Sequence, residues 1–167
     1  MSLGPSGRPS VESILVKSTM MWAERSTCER AHVGAVIAIE GRVISSGYNG
    51  APKGMAHCVH RVVHGIEGMD HMDHELCPLG DPNCDRVAEA TCPRAVHAEA
   101  NAIAFAARHG TPLLGATIYT THAPCVPCAQ LIINSGISSV IYINDYRVTD
   151  GRKLLEEVGI EARQVVI

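Results

Sequence analysis

The chain has 167 residues, 46% of them hydrophobic but only 4% aromatic, and a formal charge of −3. That length and composition suit one globular domain with an aliphatic core, and the acidic balance, with no dense Lys/Arg run, excludes the electrostatic footprint of a protein that binds long nucleic acids. No stretch of about 18 apolar residues is available to span a membrane and no signal peptide is visible, so the cytoplasm is the expected compartment. Seven cysteines, an odd number, argue against a secreted disulfide framework.

In chain order, residues 1–10, rich in Gly, Ser and Pro, read as a disordered lead, and 11–167 as a single domain. Val11 to Arg25 carries apolar residues at helical spacing behind a capping Ser10, with Ile14, Leu15, Met21 and Trp22 expected to face the core. Val33–Ile39 and Arg42–Ser46 are apolar runs around Glu40-Gly41 and predict a β-hairpin. From Tyr48 to Arg94 no periodicity survives. The part at about 57–94 is a Cys/His-rich insertion, and a loop that long inside a compact domain calls for a functional reason. His97–His109 predicts a helix packed through Ala98, Ala102, Phe105 and Ala106 and closed by Gly110. Ala116–Thr121 is an expected strand, Cys125–Ser135 a helix, Ser139–Asn144 a strand, Asp150–Val158 a helix and Ala162–Ile167 a last strand. Strands alternating with helices over short connections imply parallel pairing. The expected architecture is α/β, a mixed five-stranded sheet with helices on both faces.

His97-Ala98-Glu99 and Pro124-Cys125-Val126-Pro127-Cys128 carry the chemistry. One histidine and a Cys-x-x-Cys pair supply three ligands to zinc, and a catalytic zinc keeps its fourth position open for water, with a carboxylate beside it. A redox Cys-x-x-Cys near an unrelated core histidine is the plain alternative. A structural zinc would call for a fourth Cys or His and would not need Glu99. Cys125 and Cys128, three apart at a helix start, place both sulfurs on one side, where the helix dipole favours thiolate. The expected chemistry is hydrolytic: zinc held this way activates water at neutral pH, and Glu99 beside it is placed to take and return that water's protons.

These residues match the His-x-Glu…Pro-Cys-x-x-Cys signature of zinc-dependent base deaminases. With Arg25-Ser26-Thr27-Cys28, Val33-Gly34-Ala35-Val36-Ile37, Gly47-Tyr48-Asn49-Gly50-Ala51-Pro52, Ser135-Gly136-Ile137 and Asp145-Tyr146, the chain resembles the deoxycytidylate (dCMP) deaminase family. The resemblance implies the three-layer α/β/α cytidine deaminase-like fold, catalytic Glu99, zinc on His97, Cys125 and Cys128, and conversion of dCMP to dUMP. It implies that Asn49 and Ala98 lie in the nucleotide site, Tyr146 near sugar or phosphate, and Arg25 near the phosphate. Read alone, Asn49-Gly50 is also a turn signal, Arg25 a solvated helix end, Tyr146 packing, and His122 either a pocket residue or a core one. The family further implies a homo-oligomer, commonly a hexamer, with dCTP and dTTP as effectors, Mg accompanying the triphosphate, and an arginine at the position of Arg108 near a subunit contact. Some members hold a second, structural zinc, for which Cys28, Cys58, Cys84 and Cys92 are the candidates here, with Cys77 or His57 as substitutes. Another cytosine-type substrate (CMP, a modified dCMP, a nucleoside) and a non-catalytic zinc-binding scaffold stay as alternatives.

Overall fold

The computed structural model describes residues 7–28, 31–57, 95–146 and 148–167. The Cys/His-rich insertion, with Cys58, Cys77, Cys84 and Cys92, lies outside them. Helix α1 (Val11–Ala23) leads into strands β1 (Gly34–Ile39) and β2 (Arg42–Tyr48); helix α2 (Ala98–Arg108), strand β3 (Thr117–His122), helix α3 (Val126–Asn134), strand β4 (Ser139–Asn144), helix α4 (Asp150–Glu157) and strand β5 (Glu161–Gln164) follow. The sheet order is β2-β1-β3-β4-β5. β1 runs antiparallel to β2 and to β3, whereas β3–β4 and β4–β5 are parallel, so the sheet is mixed as expected. The hairpin turns on Glu40 (φ 50) and Gly41 (φ 77), both left-handed, the backbone that matches the twist of a two-residue hairpin.

Alternation along the strands divides the core. Ala35, Ile37, Ile118, Val140 and Tyr142 pack with the buried residues of α2, α3 and α4 on one face, while Val36, Ala38, Tyr119 and Ile141 pack with Leu15 and Val16 of α1 on the other. The result is three layers.

Two expectations about helix faces are corrected. In α1 the buried stripe is Leu15, Val16, Thr19 and Ala23, while Met21 is 67% exposed, Ile14 51% and Trp22 38%. The reason is closeness of approach. A Cβ on Gly34 would stand 2.1 Å from the Thr19 carbonyl oxygen, so β1 lies against the helix backbone, and only small residues or short aliphatics fit between. Thr19 satisfies its own hydroxyl on Leu15 O at 3.0 Å. Trp22 instead stacks on Tyr48 at 6.3 Å. In α2 the alanines at 98, 102 and 106 are fully buried, but Phe105 is exposed and rests on His109, because the alanine stripe already brings the helix too near the sheet for a ring.

One buried polar atom is left over. Thr120 Oγ1 has no hydrogen-bond partner among the described residues, and an unpaired buried hydroxyl costs about 1–3 kcal/mol. Thr120→Val, of nearly equal volume, is expected to raise Tm by roughly 2–12 °C. Thermal melts of the two proteins check this, and an unchanged or lower Tm would mean the hydroxyl is satisfied in solution.

Candidate active site

His97 and Cys125 occupy the N-cap positions of α2 and α3, and neither side chain makes a capping hydrogen bond. Positions usually given to Ser, Thr or Asp therefore leave an imidazole and a thiol free to meet. Pro127 sits in the first turn of α3, where its missing N–H leaves no bond unmade. Cys128 follows one turn from Cys125 and is buried, and Ala129 and Ile132 anchor the helix in the core.

The two helix N-termini converge. His97 Nδ1 lies 3.3 Å from Cys125 Sγ and 3.4 Å from Cys128 Sγ, and one ligand atom from each of the three residues falls within 4.8 Å of the others. Ordinary Zn–N and Zn–S bonds in a tetrahedron separate such atoms by about 3.5 Å. Donor types and spacing thus fit zinc, with three protein ligands and one coordination position left over.

Glu99, in the first turn of α2, is 4% exposed. Burial pushes its carboxyl above the usual range, and it lies within interaction distance of Cys128. Between the cysteines, the Cys128 thiol donating toward Cys125 pulls Cys125 down to about 4, while that same bond, burial and Glu99 push Cys128 up. Cys125 in turn raises His97. Cys125 is thus the thiol that gives up its proton more readily, and the thiolate is the form in which sulfur binds a metal.

The cluster opens into a cavity of about 380 Å³. Of the residues assigned by sequence, Asn49, His97, Ala98, Glu99, Cys125 and Tyr146 line it. Asn49 is buried, and its Oδ1 accepts from Ser26 Oγ at 2.7 Å and the Val33 N–H at 2.8 Å while Nδ2 donates to Ala31 O at 2.8 Å, so it braces the cavity wall that it faces. Arg25 is not among the lining residues. It is exposed and stands over the Tyr48 ring at 6.0 Å. Cys28 is a buried free thiol on the cavity wall, and its candidate co-ligands at 58, 84 and 92 fall outside the described residues.

Residues left undecided or missed by sequence also line the cavity. His122 faces it with Nδ1 3.0 Å from Thr121 Oγ1, which accepts the Gly34 N–H at 3.2 Å; burial lowers its pKa and favours the neutral ring. Its position three residues before Cys125 was the available signal. Asp145 lines the cavity and pairs with Arg152 at 3.1 Å, a contact for which the sequence holds no signal.

The model of the cytidine and deoxycytidylate deaminase zinc-binding region matches residues 10–144. The chain is 35% identical to the deoxycytidylate deaminase of Enterobacteria phage T2, covering 92% of this chain and 91% of that one, and 35% identical to the ComE operon protein 2 of Bacillus subtilis, covering 95% and 72%. Among solved structures it is similar to the dCMP deaminase of cyanophage S-TIM5 in complex with dCMP and dUMP, with a TM-score of 0.73, 27% identity, and 95% and 98% of the two chains covered.

Proposed function

Because this chain belongs to the cytidine and deoxycytidylate deaminase family, we propose that it is a hydrolase that deaminates dCMP to dUMP with release of ammonia. One observation carries the reading: a His-Cys-Cys cluster of zinc-ligand spacing, with a buried glutamate beside it, at the floor of a nucleotide-sized cavity. His97, Cys125 and Cys128 would hold the ion. Zinc supplies activation of water at neutral pH, lowering its pKa toward about 7. Glu99 takes one proton from the attacking water and delivers it to the ring nitrogen, then takes the second from the resulting C4 hydroxyl and hands it to the departing amine; its upward-shifted pKa suits a group that must both accept and release a proton. The water oxygen becomes the new carbonyl at C4 as the C–N bond breaks.

Ala98, Asn49 and Tyr146 are the substrate-facing assignments, each supported by its place in the cavity wall. The Arg25 assignment to the 5′-phosphate rests on the sequence resemblance and not on the cavity lining. The same is true of a second zinc on Cys28 with Cys58, Cys84 and Cys92, of dCTP/dTTP regulation with Mg and of hexamer assembly, while the cytoplasmic location rests on the sequence composition. No helix among the described residues is long and apolar enough to cross a membrane.

Incubating the zinc-loaded protein with dCMP, CMP, deoxycytidine and dCTP and following ammonia release tests the substrate. The expected order places dCMP first by at least tenfold in kcat/KM. Faster turnover of deoxycytidine or CMP would reject the assignment while leaving the hydrolytic centre intact.

A further inference from the structure

The first turn of α4 lies outside the metal centre yet touches both sides of the cavity. Gly151, buried, packs on the turn that carries Cys125 so closely that a Cβ there would lie 2.1 Å from Pro124 O and 2.7 Å from the Cys125 carbonyl carbon. Its neighbour Arg152 turns the other way. One terminal nitrogen donates to Tyr142 Oη at 2.9 Å and to Asp145 Oδ1 at 3.1 Å, while Nε lies 3.7 Å from Glu156. Tyr142 is buried in β4, and Asp145 and Tyr146, just past the strand's end, form the cavity wall. That wall is also tied to the metal side, because Asn144 Nδ2 donates to Thr121 O at 3.0 Å and Asn144 O accepts the Ala123 N–H at 2.9 Å. The short segment after β4 is therefore tied at one end to β3 and at Asp145 to the Arg152 guanidinium, while Tyr146 packs against the core.

We propose that Arg152 is a positioning residue for the ligand: seated on the Cys125 turn through Gly151, it fixes the Asp145–Tyr146 wall at the distance from the His97–Cys125–Cys128 cluster that the nucleotide requires. The identity of that nucleotide rests on the reading above; the tether does not. A planar guanidinium holding a phenol and a carboxylate together fixes direction as well as distance, which an ammonium does less well. Because Arg152 acts through Asp145, its loss weakens binding and leaves the metal and Glu99 as they were.

The test uses Arg152→Ala, Arg152→Lys, Asp145→Asn and the double variant Arg152→Ala/Asp145→Asn. For Arg152→Ala, KM for dCMP and Kd for dUMP by calorimetry should rise roughly fivefold, the size of a charged hydrogen bond partly open to water. Values of kcat within twofold of wild type and unchanged zinc content should accompany the rise. Arg152→Lys should recover part of the loss, and the double variant should be no worse than the poorer single one. Unchanged KM in Arg152→Ala, a loss of zinc, Tm and kcat together, or effects that multiply in the double variant would overturn the proposal. Should Arg152→Ala fail to fold, Asp145→Asn carries the same test from the other end, and an unaltered KM there contradicts the tether. Failure of the wild type to turn over dCMP would instead strike the substrate reading, and the same ratios would be taken on whichever cytosine compound it does turn over.

Discussion

Glu99→Ala is expected to keep its zinc and lose nearly all turnover. The ligands His97, Cys125 and Cys128 are untouched by the substitution, and Ala98 and Ala102, fully buried on either side of Glu99 in α2, keep the helix seated. What disappears is the group proposed to move the proton. General acid–base transfer of this kind contributes about a hundred- to ten-thousand-fold in rate, so the remaining activity should fall in that range below wild type. Glu99→Gln keeps the shape and also removes the proton acceptor, and should fall equally far. Metal content by elemental analysis and ammonia release from the same sample check the two halves of the statement. More than roughly a tenth of wild-type activity in either variant would remove Glu99 from the reaction.

Cys128→Ser should abolish both metal binding and activity, and it should lower Tm. Cys128 is buried in the first turn of α3, beside Glu99 and 3.4 Å from His97 Nδ1, so an ion held there would join the N-termini of the two helices. A ligand present at a thousandfold above its Kd stabilises the native state by about 4 kcal/mol, and each kcal/mol is worth roughly 2–4 °C for a chain of this size. A fall in Tm on the order of 10 °C is therefore expected for Cys128→Ser, and a similar one for wild type treated with a strong chelator. Added zinc should restore the chelated wild type and leave the serine variant unchanged. A variant as stable and as active as wild type would show that the cluster is not a metal site.

The candidate cluster was legible because each of its two halves is local in sequence. Cys125 and Cys128 are three apart at one helix start, which puts both sulfurs on one side, and His97 and Glu99 stand together at the start of the other. The hairpin and the alternation of β3, α3, β4, α4 and β5 were legible for the same reason. Helix faces were not. Periodicity counts Met21 and Trp22 of α1 and Phe105 of α2 as core candidates, but whether a face can take a large side chain depends on how near the neighbouring backbone comes, and the approach of Gly34 to Thr19 is a fact of tertiary structure. The far wall of the cavity was hidden likewise. Asp145 and Arg152 are seven residues apart with a helix start between them, and nothing in their spacing says that they meet. Asn49 shows the intermediate case: its place at the cavity follows the family pattern, while its three hydrogen bonds to the segment at 26–33 reveal a bracing role that no turn signal contains.

The most direct test is the fate of the oxygen. Wild-type protein loaded with zinc is incubated with dCMP in water enriched in oxygen-18, and the nucleotide product and ammonia are measured together, the former by mass spectrometry. A hydrolytic centre at His97, Cys125, Cys128 and Glu99 predicts dUMP carrying one heavy oxygen at C4 and one ammonia for each dUMP formed. Unchanged dCMP, or a product without the label, would contradict it.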